Sequence, residues 1–425
     1  MNGLYPLTVR LFVSYNGSST IENIALTASC TAPLYLTTDT VTLPSLAGGN
    51  RTPTIVPFTF RARSDELPVD LSASIVATYS TASGESRCAR CDMALPLCMV
   101  CRPIPTVKNP KYKVTLDTNR LPPPIPALFE DLLSTNPQLG ESLAQSSTSA
   151  LSLQYHCGLD ATVLVSKNAG RYRIQSGAFE GLWLLCDELL RRLRNYFGSA
   201  AQRHSQDNES EAFNMVYAEP LPLQEYFELI DEHLRCRIEL ADLNEQLDKR
   251  AHQFRVIEKR LLVRLKDRNP APLQNLELLF DGTYDQLLRL AEQVEGGQQQ
   301  LKFHSVRLSS GTRLLLLLLR LRFGLDEEDS TLLEAHLSPL LDETPDQGWE
   351  ERTTASITHL LRTGLAKSSK EMSQTSVQQL SRPADATKLK KHITLVCDRL
   401  HKGFRPKGTA SGTPNGTKED SPPKA

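Results

Sequence analysis

The stretch from Leu223 to Val294 constrains the fold more than any other part of the chain. Leu223, Phe227, Ile230 and Leu234, then Leu240, Leu243, Leu247, Phe254, Ile257 and Leu261, recur at steps of three and four residues. That spacing sets side chains on one face of an α-helix. The seam slips register near Arg237, and Arg250 stands where the repeat calls for an apolar residue. At 1.5 Å per residue such a helix is about 65 Å long, longer than most globular helices. The sequence NPAP at 269–272 ends it, because proline lacks the amide donor and clashes with the preceding turn. Leu276, Phe280, Leu287, Leu290 and Val294 then repeat the seam. The pattern predicts an antiparallel helical hairpin over 216–297 with NPAP at its tip. The second arm is expected to be shorter by about 30 Å of helix. The base of the first arm, near Phe227, Ile230 and Leu234, is then left open for a partner or for the rest of the chain. Leu261 and Leu276 are expected to make outward contacts at the tip.

Residues 1–105 have a different period. Leu7, Val9, Leu11 and Val13 alternate with polar neighbours, as do Val69, Leu71, Ala73, Ile75, Ala77 and Tyr79. Repeated between turn signals, that period of two predicts about seven short antiparallel strands in an immunoglobulin-like β-sandwich. The run ALPLCMVC at 94–101 reads as its last strand. Cys88, Cys91, Cys98 and Cys101 raise the question of a zinc site. Residues three apart on a regular strand point to opposite faces, and the gap between the pairs is short for a zinc ribbon. Strand-end thiols, with Cys88 and Cys91 in a turn, are the favoured reading, with a zinc site the alternative.

From 106 to 215 strands and helices mix. KYKVTLDTN and LSLQYHCGLDATVLVSKNAGRYRIQS read as strands, and IPALFEDLL as a short helix after three prolines. Phe179, Trp183, Cys186, Leu190 and Leu193 share one face of an amphipathic helix. Together they predict a small α/β platform, with the polar run at 134–150 as a mobile loop. Residues 298–401 carry further helical stripes, Leu332 to Leu340 after a Ser330 cap, Ile357 to Leu365 and Leu389 to Leu400. The tail, 402–425, has the composition of a disordered segment. The expected fold class is therefore multidomain α+β: a sandwich, a platform, a helical hairpin, a C-terminal helical region and a disordered tail.

No catalytic motif stands out. Phosphate-loop, zinc-protease and nucleophile-elbow patterns are absent, and the nine histidines are scattered beside charged residues. His156 and Cys157 are strand neighbours that face opposite ways. Basic residues cluster at 191–194, 259–268 and 388–391, beside acidic neighbours. These read as solvated faces, with acidic partners or anionic headgroups as the alternative. A formal net charge of -1 argues against a nucleic-acid binder. The start lacks a signal-peptide pattern, and the leucine run at 314–319 is too short to span a bilayer. The expectation is a cytoplasmic protein with reduced thiols that acts through contacts, without catalytic residues or cofactor.

The segments SKNAGRYRIQSGAFEGLWLL, PLQEYFELIDEHL, RLLVRLKDRNPAPLQNLELLFDGTYDQLLRLAEQVE, GWEERTTASITHLLRTGLAKSSKE and LKKHITLVCDRLHKG, spread over about 165–401, carry a family resemblance. In them the chain resembles the C-terminal half of the Bardet–Biedl syndrome 9 family, subunits of the BBSome. The resemblance implies an adaptin-ear-like sandwich, then platform, hairpin and helices. It also implies an N-terminal β-propeller that these 425 residues do not include. It further implies a non-enzymatic role in a coat-like complex that moves membrane proteins to and from the primary cilium. The implied partners are the other BBSome subunits and, indirectly, ciliary cargo and a small GTPase, with peripheral membrane association through the complex. The implied locations are the cytoplasm, the cilium and its membrane, and centrosomal satellites. The competing reading is a clathrin-adaptor-type appendage whose sandwich binds short cargo or accessory peptides.

Overall fold

A computed structural model describes residues 6–49, 52–81, 83–106, 110–134, 150–166, 169–203, 213–266, 273–338, 348–365, 383 and 385–406. The NPAP turn, the loop at 135–149 and the tail from 407 onward lie outside the described residues. The chain divides into two compact units, Met1–Arg322 and Phe323–Ala425.

In the first unit, alternating apolar residues build two antiparallel sheets. One has the order β1 (Leu7–Val13), β5 (Thr54–Ala62), β3 (Leu34–Leu36). The other has the order β4 (Thr40–Leu46), β2 (Ile21–Cys30), β6 (Ser72–Ser80), β7 (Ser86–Ala94). Ile24, Leu26 and Ala28 of β2, Val56, Phe58 and Phe60 of β5, and Ala73 and Ile75 of β6 supply the buried alternate positions, as a sandwich requires. β2 carries a bulge between Glu22 and Ala25, where Asn23 has φ 54°. Asparagine tolerates that left-handed conformation better than most residues.

The sequence reading of ALPLCMVC is corrected here. The last strand of the sandwich is β7, earlier in the chain, and it contains Cys88 and Cys91 rather than placing them in a turn. Leu97–Met99 form a single 3-10 turn after Pro96. Cys101 opens β8 (Cys101–Ile104), which belongs to the next sheet.

That sheet has six antiparallel strands in the order β13 (Met215–Val216), β9 (Tyr112–Thr118), β12 (Arg171–Ser176), β11 (Asp160–Val165), β10 (Ala150–Tyr155), β8. Two short helices, α1 (Ile125–Leu128) and α2 (Glu130–Ser134), lie between β9 and β10 in sequence. One face is covered by α3 (Leu182–Arg203), whose Leu182, Leu185, Leu189 and Leu193 are fully buried. The Tyr155 hydroxyl donates to the Gly181 carbonyl at 3.1 Å, tying sheet to helix. Arg192 of α3 reaches Asp131 at 2.5 Å, Glu188 at 2.6 Å and the Leu128 carbonyl at 2.7 Å. Burial raises the Asp131 pKa, but the Arg192 guanidinium outweighs it and holds the carboxyl below its ordinary range.

The hairpin arms are α4 (Leu223–Lys266) and α5 (Gln274–Phe323). The expected short second arm is corrected: α5 has 50 residues against 44 in α4 and runs unbroken through EGGQQQ. Gly297 does not end the helix. It admits the other arm, because a Cβ there would stand 3.0 Å from Leu240 Cδ1.

In the second unit, α6 (Glu327–Leu337), α7 (Trp349–Arg362) and α8 (Thr387–His401) pack in sequence order. Asp326, not Ser330, caps α6: its carboxylate accepts from the Asp329 amide at 2.8 Å. The His336 ring meets Ser356 at 2.5 Å, and Thr358 meets His392 at 3.1 Å. Arg399 donates to the carbonyls of Leu361 and Leu365.

Candidate interaction surface

Two regions of the hairpin differ in how they treat apolar surface. At the base, α5 closes over α4. Ile230 is 0% exposed and Leu234 is buried with it, while Phe227 is half-buried. The base seam, expected to lie beyond the second arm and to be buried by the platform or by another subunit, is instead covered by the C-terminal half of the second arm together with the platform. Gly311 of α5 allows the closest approach, since a Cβ there would lie 2.6 Å from Leu229 Cδ1 and 3.6 Å from Phe179 Cε1. Glycine is needed where three elements converge this tightly.

The same region carries a polar joint. Arg307 of α5 bonds Glu180, ahead of α3, and Glu232 of α4, each at 2.5 Å. Ser310 donates to the Glu180 carbonyl at 2.7 Å, Tyr226 meets Thr312 at 2.9 Å, and His233 meets Ser305 at 3.0 Å. The sandwich is held by the same elements. The Trp183 indole donates to the Val69 carbonyl at 2.7 Å, Lys302 reaches Glu66 at 2.5 Å and Arg313 reaches Asp70 at 3.2 Å. Sandwich, platform and hairpin are thus fixed to one another by charged and aromatic contacts. Burial and the nearby Arg307 push the His304 pKa down, although Glu232 pulls it up.

The distal half of the hairpin is the reverse. Phe254 packs against Phe280 with ring centroids 4.6 Å apart, tilted by 33°, between the arms, and Leu261 and Leu276 are half-buried in that seam. Outside the seam, Val256, Leu262, Val263 and Leu265 of α4 are exposed, as are Leu278 at 71% and Leu279 at 55% of α5. Arg250 is exposed and donates to Gln253 at 2.8 Å. Of the six hairpin residues singled out from sequence, Ile230 and Leu234 are structural. Phe227, Leu261 and Leu276 sit on the seam margin, and Arg250 lines an open groove between the arms.

The cysteines do not converge. Cys88 and Cys91 are exposed on opposite faces of β7, paired with Thr78 and Ile75. Cys101 is buried, donates to the Leu97 carbonyl at 3.3 Å and has its thiol pKa pushed up by burial. Among the described residues no group of three or more His, Cys, Asp or Glu side chains is placed to hold a metal ion. No described helix is long and apolar enough to cross a membrane.

An ear-like sandwich, a mixed platform, a long hairpin and a helix bundle in series fit a trafficking-related scaffold. Four family models, all describing domains of PTHB1, match the chain in order. They are the GAE domain at 6–93, the platform domain at 96–218, the hairpin at 220–323 and the C-terminal helix bundle at 325–400. The chain is 39% identical to human Protein PTHB1 over 404 residues, 94% of this chain and 44% of that protein. It is 38% identical to the Xenopus laevis Protein PTHB1 over 392 residues, and 26% identical to a Caenorhabditis elegans homolog over 253. The chain therefore carries the domain series of PTHB1 and spans less than half the length of its human and frog relatives. The name attached to the resemblance is corrected accordingly: the designation that the matches carry is PTHB1.

Proposed function

We propose that the chain is a structural, non-catalytic subunit of the BBSome, a coat-like complex that moves membrane proteins to and from the primary cilium. The joint around Arg307 carries the reading. It sets an ear-like sandwich, a platform and a long hairpin in one fixed geometry, which suits a part that positions partners. The PTHB1 domain series supports it. On this reading the direct partners are other subunits of the complex. Membrane cargo and a small GTPase are reached through them, membrane association is peripheral, and the protein resides in the cytoplasm, the cilium and centrosomal satellites. A tagged chain of residues 1–425, expressed in ciliated cells, is expected to recover other BBSome subunits. Recovery of none, with the chain folded, counts against the proposal.

The GAE match at 6–93 favours a second reading, an appendage whose sandwich binds short peptides of clathrin-type trafficking. The folded chain would then bind endocytic accessory peptides through the sandwich and recover no BBSome subunit.

A further inference from the structure

We propose that the distal half of the hairpin is a docking groove for an acidic amphipathic helix of a partner protein. The proposal deepens the scaffold reading and rests on it for the existence of a partner, while the groove itself specifies the partner's chemistry. Arg250, Val256 and Ile257 of α4 line one side, and Leu278, Leu279 and Gly282 of α5 the other. Thr283 lies buried on the floor with its hydroxyl bonded to the Leu279 carbonyl at 2.6 Å, so the floor has no unmet donor there. Gly282 is the informative residue. It lies mid-helix, where glycine is a much poorer helix former than alanine. A Cβ there would meet nothing within 4 Å, and its φ is not left-handed. Neither backbone conformation nor internal packing calls for glycine. The open notch it leaves among exposed leucines fits the knob of a third helix, as in a helical bundle.

Charge selects which helix. Arg260 and Arg264 follow Ile257 at steps of three and four on α4, and Arg289 follows Gly282 at seven residues on α5. These spacings keep all three on the groove side. Each is exposed, and none of the three makes an ion pair with a described residue. Of the nearby carboxylates of α5, Glu277 falls on the arm's other face, whereas Asp285 stands three residues after Gly282 and seven after Leu278 and shares the groove rim with Arg289. With Arg250, Arg260, Arg264 and Arg289 against Asp285, the groove offers an apolar floor with a net cationic rim, the complement of a helix with a leucine stripe flanked by glutamates. A lipid surface fits less well. The floor is recessed between the arms, and a bilayer wrapping the tip would meet the α5 carboxylates.

The test uses the full 425-residue chain and a labelled synthetic helix with Leu and Ile at its core positions and Glu on both flanks. A matched peptide with Lys on the flanks is the control. Anisotropy titrations are expected to show the acidic peptide binding at least about tenfold tighter, with affinity falling as salt rises. The double substitution Arg260→Glu and Arg264→Glu is expected to invert that preference. Gly282→Leu is expected to weaken acidic-peptide binding about tenfold or more while leaving melting unchanged or raised, since leucine is the better helix former. If Gly282→Leu misfolds, the charge-reversal arm decides alone. Equal binding of the two peptides, no binding, or binding indifferent to both variants overturns the proposal. So does binding of phosphatidylserine vesicles in place of peptide, or a concentration-dependent self-association that Gly282→Leu abolishes. A failed recovery of BBSome subunits beside a positive peptide result would remove the proposed function and leave the groove's chemistry standing.

Discussion

Replacing Arg307 by alanine is expected to cost about 3 kcal/mol of stability in the first unit. The carboxylate of Glu180 has 6% side-chain exposure and its ion-pair partner is the Arg307 guanidinium. Losing a charge-assisted bond to a buried acceptor costs about 2–3 kcal/mol. The Glu232 arm is 36% exposed, so solvent screens it and its loss adds only about 0.5 kcal/mol. Two tryptophans are present, Trp183 in the first unit and Trp349 in the second. A Trp349→Phe background therefore leaves Trp183 as the sole fluorescent reporter of the joint. Urea titrations of Arg307→Ala, Glu180→Gln and the double variant form a cycle, with an expected coupling of about 2 kcal/mol between the two positions. Glu180→Gln should partly rescue Arg307→Ala, because the amide removes the stranded charge. A coupling indistinguishable from zero would refute the claim that Arg307 compensates a buried charge and fixes the platform to the hairpin.

The double substitution Ile230→Asp and Leu234→Asp places two carboxylates where the base of the hairpin is closed. It should destabilise the first unit by several kcal/mol, seen as loss of hydrogen-exchange protection in α4. Burial is the largest cause holding His156, His304, His336 and His392 below the ordinary histidine pKa. The unfolded chain therefore takes up their protons first. Melting temperature should hold above about pH 6.5 and fall as pH drops from there through the lower folded values; a flat profile from pH 7.5 to 5.5 would contradict this. Native maleimide labelling read by mass spectrometry should modify the exposed Cys88 and Cys91. It should spare buried Cys186 and Cys397, whose thiol is pushed up to about 12 by burial.

What the sequence disclosed was whatever has a period. β1 and β6 follow from alternation, α3 from its one-sided stripe, and the hairpin from its seam. Two errors came from reading local signals without their surroundings. ALPLCMVC alternates like a strand, yet a 3-10 turn follows Pro96 and the chain crosses there into the next sheet. EGGQQQ looks like a helix end, yet Gly297 is small because Leu240 presses on it, and the helix continues beneath. Glycine in a seam can mark contact as well as interruption. The joint was illegible for another reason. Glu180, Glu232 and Arg307 lie far apart along the chain, and no repeat links them. The groove left a faint trace: adjacent Leu278 and Leu279 cannot both face the seam, and Gly282 leaves a position without a side chain one turn after them.

The platform sheet is bounded by the strand through which the chain enters it and the strand through which it leaves. β8 pairs with β10 at one edge, and β13 pairs with β9 at the other. During synthesis the sandwich can close once β7 has emerged, since its strands all lie before that point. The platform must wait. Cys101 stays unpaired until Tyr155 arrives, and the strand holding Thr118 keeps a bare flank until Met215 is made. That interval is when exposed strand edges invite pairing with another nascent chain. The last strand to dock immediately precedes the first turn of the hairpin, so completion of the sheet coincides with the start of the element that covers the finished unit.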